Sequence, residues 1–214
     1  QTCITPDYLL VHKEVKEEFI NLLKENIISF FGTEAYKSEN YGRIINQRQF
    51  LRIKSLLSQG EIIFGGKHDE RNNYISPTLI KPYELNNSLM EDEIFGPILP
   101  ILEFENIESV IEYINKRPRP LALYYFGNKN INIIKRTTSG GACINDAIMH
   151  IIPHSLPFGG IGQSGMGSYH GKKSFDTFSH YKSVLKTHKN FEFKIKYPPY
   201  TSLKQKIIRL FMDR

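Results

Sequence analysis

The sequence predicts an α/β fold: a layered, mostly parallel sheet with flanking helices, followed by one more short strand and a short helix. Three observations carry this. Short apolar runs of strand length alternate with stretches whose apolar residues recur at helical spacing. Capping and helix-stopping residues stand where one pattern gives way to the other. The composition is that of an ordinary folded protein, 40% hydrophobic and 23% charged over 214 residues, which is long enough to bury a real core.

The elements follow in order. Tyr8-Leu9-Leu10-Val11 is a short apolar run and reads as a strand. Val15, Phe19, Leu22, Leu23, Ile27 and Phe30 then mark a helix, which Gly32 stops. Asn46 is placed as the N-cap of a second helix carrying Phe50, Ile53, Leu56 and Leu57, closed by Gly60. Glu61 to Phe64 reads as a strand ending at Gly65-Gly66. Ile75 to Ile80, interrupted by Pro77, and Ile98 to Phe104 are extended. Ile107, Val110, Ile111 and Ile114 mark a third helix, and Leu121 to Phe126 a buried strand. Ile131, Ile134 and Lys135 sit on a short helix, before a strand at Ala142 to Asn145. Phe158 to Gly167 is a glycine-dense loop, Val184-Leu185-Lys186-Thr187 a short strand, and Leu203 to Phe211 a small basic amphipathic helix.

Bulk properties narrow the class. A net charge of +6, spread along the chain, points to a basic surface and not to a nucleic-acid partner. Two cysteines, Cys3 and Cys143, make no disulfide framework and suit a reducing, cytoplasmic setting. No apolar run reaches the ~18 residues of a membrane span. The C-terminal helix, with Leu203, Ile207, Leu210 and Phe211 on one side, is read as packed on the protein; weak, peripheral membrane association is its other use. No metal site is predicted.

The chemistry centres on Cys3. A thiolate attacks a carbonyl carbon readily because sulfur is soft and ionises at modest pH. On an aldehyde the product is a thiohemiacetal; hydride loss to a nicotinamide leaves a thioester, and water releases a carboxylic acid. Cys3 can serve as the nucleophile, with its own backbone N–H as one oxyanion donor. Glu93 can accept hydrogen bonds from two ribose hydroxyls, and Phe95 can pack beside the ring, with Gly96-Pro97 fixing its approach. Cys143 reads as a buried strand thiol without a role.

Longer motifs carry a resemblance. They are Gln1-Thr2-Cys3 with Pro6-Asp7-Tyr8, Tyr41-Gly42-Arg43, Glu93-Ile94-Phe95-Gly96-Pro97, Pro120-Leu121-Ala122-Leu123-Tyr124, and above all the run from His154 to Lys172. From Gln1 to about Pro199 the chain resembles the C-terminal catalytic half of class 3, fatty aldehyde dehydrogenase-like members of the aldehyde dehydrogenase superfamily. The resemblance implies NAD(P)-dependent oxidation of a medium or long aliphatic, or aromatic, aldehyde. It implies Cys3 as nucleophile, Glu93 and Phe95 as cofactor contacts, and Ile151, Phe158 and His170 as substrate-binding wall. It also implies a homodimer, with the strand at Val184 used in assembly. The organisation is then a thiol-bearing catalytic domain at 1–183 and an oligomerisation strand and tail at 184–214.

What does not match is equally informative. The family's general base, its oxyanion asparagine and its cofactor-binding domain lie earlier than this segment begins, and Asp92 stands where the pattern usually has Glu. A nucleophile two residues from the first predicts a longer polypeptide, and no turnover by residues 1–214 alone. Two other readings stand beside it. One is a thiol hydrolase pairing Cys3 with His150, His154 or His170; the other is a non-catalytic assembly module that keeps the fold.

Overall fold

The computed structural model describes residues 1–127 and 132–212. The chain divides into two compact units, Gln1–Thr177 and Phe178–Arg214.

The first unit opens with β1 (Leu9–His12), α1 (Lys16–Phe31) and α2 (Gln47–Leu56). Gly32 ends α1 at a φ of 77°, its N–H bonded to the Ile28 carbonyl. Asn46 caps α2 through its side-chain oxygen, which accepts from the Gln49 N–H at 2.9 Å. There follow β2 (Gly60–Phe64), a small ladder of β3 (His68–Asp69) with β4 (Tyr74–Ile75), then β5 (Thr78–Pro82), a single-turn α3 (Ser88–Glu91) and β6 (Ile98–Phe104). The unit closes with α4 (Ile107–Asn115), β7 (Ala122–Tyr125), α5 (Asn132–Arg136), β8 (Gly141–Ile144) and α6 (Gly171–Thr177). The expected helical position Ile131 lies outside the described residues.

The main sheet runs β1-β6-β5-β2. β1 with β6, β6 with β5, and β7 with β8 are parallel, as the alternation of strands and helices implies. β2 pairs antiparallel with β5 at the edge. The reason lies in the connection: β2 reaches β5 through a glycine turn and a two-stranded ladder, with no crossover helix to return the chain in the same direction. Adjacent residues on β5 face opposite sides. Ile80 joins a cluster with Phe50, Ile53, Leu56, Ile75, Ile94 and Ile98 under α2. Leu79 joins Val11, Ile20 and Ile101 under α1. A third cluster gathers Val110, Ile111, Ile114 and Ile133 against Leu10, Leu123 and Tyr125. β7, read from the sequence as buried, is only half-buried here.

In the second unit the strand expected at Val184–Thr187 does not form. Val184 is 77% and Leu185 91% exposed, and no ladder partner lies beside them among the described residues. An extended apolar segment becomes a strand only when an edge supplies hydrogen bonds. α7 (Ser202–Met212) forms as expected, with Leu203, Leu210 and Phe211 exposed. Lys204 Nζ donates to the Tyr197 carbonyl at 2.8 Å and Tyr197 Oη to Glu192 at 2.6 Å. Among the described residues no helix is long and apolar enough to cross a membrane.

Candidate active site

Cys3 lies exposed in a tight turn just before β1. The turn is closed locally by the Thr5 N–H on the Thr2 carbonyl at 3.0 Å and by the Thr5 hydroxyl on the same carbonyl. Its neighbour Ile4 is buried and anchors the turn. The Cys3 N–H donates to no described group, which leaves it free for a developing oxyanion.

Two long-range bonds place this turn. Asp7 Oδ1 accepts the Ile94 N–H at 2.9 Å, tying the thiol segment to the loop that carries Glu93 and Phe95. Tyr124 Oη donates to the Ile4 carbonyl at 2.6 Å, tying it to β7. From α2, Arg52 donates to the Ile94 carbonyl at 2.6 Å and to the Glu93 carbonyl at 3.4 Å, fixing the same loop from its other side. Thus the segment that carries Cys3 is tied through Asp7 to the loop that carries Glu93 and Phe95.

The electrostatics follow from this packing. The Glu93 carboxyl titrates above its ordinary value, chiefly through desolvation and then through the nearby Asp7 charge, against the pull of Arg52. Burial likewise raises Asp7 above 3.8, ahead of the opposing Ile94 N–H and Arg52. A carboxyl whose folded pKa is raised favours folding in its protonated form. Its contribution is full below the unfolded value of 3.8 and is lost as pH rises through the higher folded value. Asp7→Asn keeps an oxygen for the Ile94 N–H and removes the buried charge. The variant is expected to be at least as stable as the native chain at neutral pH and to lose this part of the pH dependence. Urea midpoints followed from about pH 3 to neutrality check both.

The remaining candidates sit along an aromatic chain leading away from Tyr124. Its ring lies 5.9 Å from His150, His150 lies 5.7 Å from Phe158, and Phe158 6.1 Å from His170. Phe158 and Tyr169 exchange backbone hydrogen bonds at 3.0 and 2.9 Å, pinning both ends of the glycine loop. Ile151 is half-buried on the same short turn as His150. The glycines are required by close approach: a Cβ on Gly159 would stand 2.1 Å from the Gly167 carbonyl oxygen, and one on Gly140 2.2 Å from that of Gly159. Backbone strain gathers here as well. Of five described non-glycine residues at positive φ, Phe95, Asn145, Ile148 and His170 lie on the segments that build the site.

Two expectations change. Cys143 is half-buried, and its Sγ lies 3.4 Å from His150 Nδ1. Among the described residues no histidine bonds the Cys3 sulfur, so the cysteine–histidine pair of the hydrolase reading exists on the other thiol. Asp7, Arg52 and Tyr124 were not read as site residues. The partners they join are 87, 42 and 120 positions apart in the chain.

The model of the "Aldehyde dehydrogenase family" matches residues 1–184. The chain belongs to the aldehyde dehydrogenase family. Aldehyde dehydrogenase family 3 member B1 of Homo sapiens is 44% identical over 219 residues, covering 100% of this chain and 47% of that protein. The rat (Rattus norvegicus) "Aldehyde dehydrogenase, dimeric NADP-preferring" is 45% identical over 205 residues, covering 93% of this chain and 45% of the relative. The solved "Substrate bound state of Staphylococcus Aureus AldH" superposes with a TM-score of 0.83 at 43% identity, covering 99% of this chain and 47% of that one. This aldehyde dehydrogenase chain therefore spans about half the length of the relatives it matches.

Proposed function

We propose that this chain supplies the thiol-bearing half of an NAD(P)-dependent aldehyde dehydrogenase acting on medium or long aliphatic, or aromatic, aldehydes. Cys3 attacks the aldehyde carbon, and its N–H stabilises the oxyanion. A bound NAD(P) would supply the hydride acceptor; Glu93 would hold its ribose hydroxyls and Phe95 would pack beside its ring. Ile151, Phe158 and His170 form the wall against the aldehyde. The single observation that carries this reading is the Asp7–Ile94 bond, which joins the nucleophile turn to the Glu93–Phe95 loop. The acceptor on the page fits a ribose diol: Glu93 is an exposed carboxylate on a loop held by Arg52.

The rat relative's printed name supports NADP as well as NAD, and a dimer. The exposed apolar segment at Val184 and Leu185, without a ladder partner among the described residues, supports the same assembly. α7 supports weak surface association with a membrane through Leu203, Leu210 and Phe211, beside Lys204, Lys206 and Arg209. A reducing, cytoplasmic setting suits two free thiols.

The test begins with the purified 214-residue chain. With a long-chain aldehyde and NAD or NADP it is expected to reduce no cofactor, and Cys3 is expected to alkylate at the same rate with and without NAD. Aldehyde oxidation by this chain alone at an ordinary enzymatic rate would overturn the division of labour.

A further inference from the structure

We propose that Cys143 and His150 form a second nucleophilic site, one that takes up carbon electrophiles of the conjugated-aldehyde type at the thiol of Cys143. The pair is built by the fold. β8 sets Cys143 in register with Tyr124 of β7. The chain then turns back through Asn145 and Ile148, both in the left-handed region, at φ of 55° and 71°. That conformation is costly for a β-branched isoleucine, and it returns His150 over its own strand. The imidazole packs against Gly141, where a Cβ would stand 2.7 Å from His150 Cδ2. Nδ1 is thereby aimed at Cys143 Sγ at 3.4 Å, while Nε2 is buried without a partner.

The chemistry follows from that orientation. Desolvation lowers the His150 pKa, so the ring is neutral near pH 7, and in the tautomer that carries the ring proton on Nε2 the Nδ1 atom accepts from the thiol. As Sγ forms a bond to the β-carbon of an α,β-unsaturated aldehyde, its proton passes to Nδ1. The C=C pair becomes an enolate, and the proton on Nδ1 is returned to the α-carbon. The product is a saturated thioether aldehyde, with no oxidant or reductant consumed. Access is provided, because Cys143 is half-buried and not enclosed. Among the described residues no imidazole bonds the Cys3 sulfur, which makes Cys3 an internal reference in the same molecule.

The experiment treats the purified chain with trans-2-hexenal, reduces the adducts with borohydride to stop the reverse reaction, and maps them by peptide mass spectrometry. Adduct formation at each cysteine is timed in the native chain, in the same chain unfolded in urea, and in His150→Gln. Cys143 is expected to react roughly tenfold faster in the folded chain than in the unfolded one, at or below the lower edge of what a positioned base supplies. His150→Gln is expected to remove that acceleration while leaving Cys3 unchanged. Folding that slows Cys143 or leaves its rate the same, or a folded His150→Gln chain that reacts as the native one does, would overturn the proposal. Should His150→Gln fail to fold, the native folded-to-unfolded ratio alone decides it.

Discussion

Cys3→Ser is expected to cut aldehyde oxidation by about 10³-fold or more in a protein that joins this chain to a cofactor-binding half. The substitution exchanges one atom. Cys3 is exposed and the turn around it is held by Thr2, Thr5 and Ile4, so the scaffold stays as it was. What changes is the nucleophile. A serine hydroxyl stays protonated at neutral pH, and among the described residues no base bonds the sulfur position to take its proton. The loss should fall on kcat, because the contacts proposed for Glu93, Phe95 and Phe158 with the reactants are untouched. Steady-state kinetics on the joined protein, with a melting curve to establish folding, make the check. Turnover that survives the exchange would remove Cys3 from the mechanism.

The second large effect is on stability. Phe50→Ala is expected to cost about 3–5 kcal/mol, the range for deleting an aromatic side chain from a packed core. Phe50 is 0% exposed at the centre of the cluster under α2. Its neighbours in that cluster come from separate segments, among them Ile44, Ile75, Ile80 and Ile98, so no single shift closes the cavity. At roughly 2–4 °C per kcal/mol for a chain of this size, Tm should fall by about 6–20 °C. Ile94 belongs to the same cluster and stands beside Glu93. Exchange at the Ile94 amide, which Asp7 protects, should therefore accelerate along with the melt. A Tm unchanged to within a degree or so would mean the site collapses around the smaller side chain.

Much of the fold is legible in the sequence because helices announce themselves locally. Phe50, Ile53 and Leu56 give α2 its face, Val110, Ile111 and Ile114 give α4 its face, and both Asn46 and Gly32 end their helices as read. Strand direction is not local. The apolar run at Glu61–Phe64 reads as a strand either way up, and only the helix-free path to β5 makes it antiparallel. Val184–Thr187 fails for a related reason: apolar content describes what a strand needs to bury and says nothing of which edge is at hand. In the site, Cys3, Glu93 and Phe95 are visible as motifs. The groups that join them are not, since a carboxylate and an amide 87 residues apart leave no periodic trace. His150 shows the same limit. A sequence offers it two cysteines, and only the left-handed turn at Ile148 determines that it faces Cys143.

The interlocked glycines have a consequence for redesign. Where main chain rests on main chain, there are no rotamers to rearrange and contour is separated from side-chain identity. Gly140, Gly159 and Gly160 hold the loop through contacts with the carbonyls of Leu121, Gly159, Gly167 and Ser164. Side chains mounted on that frame that only meet solvent, Met166 at 99% exposed among them, are free to be exchanged. An engineer who wishes to admit a bulkier or slimmer molecule can vary those positions in a library and keep the chassis, provided the glycines are left alone.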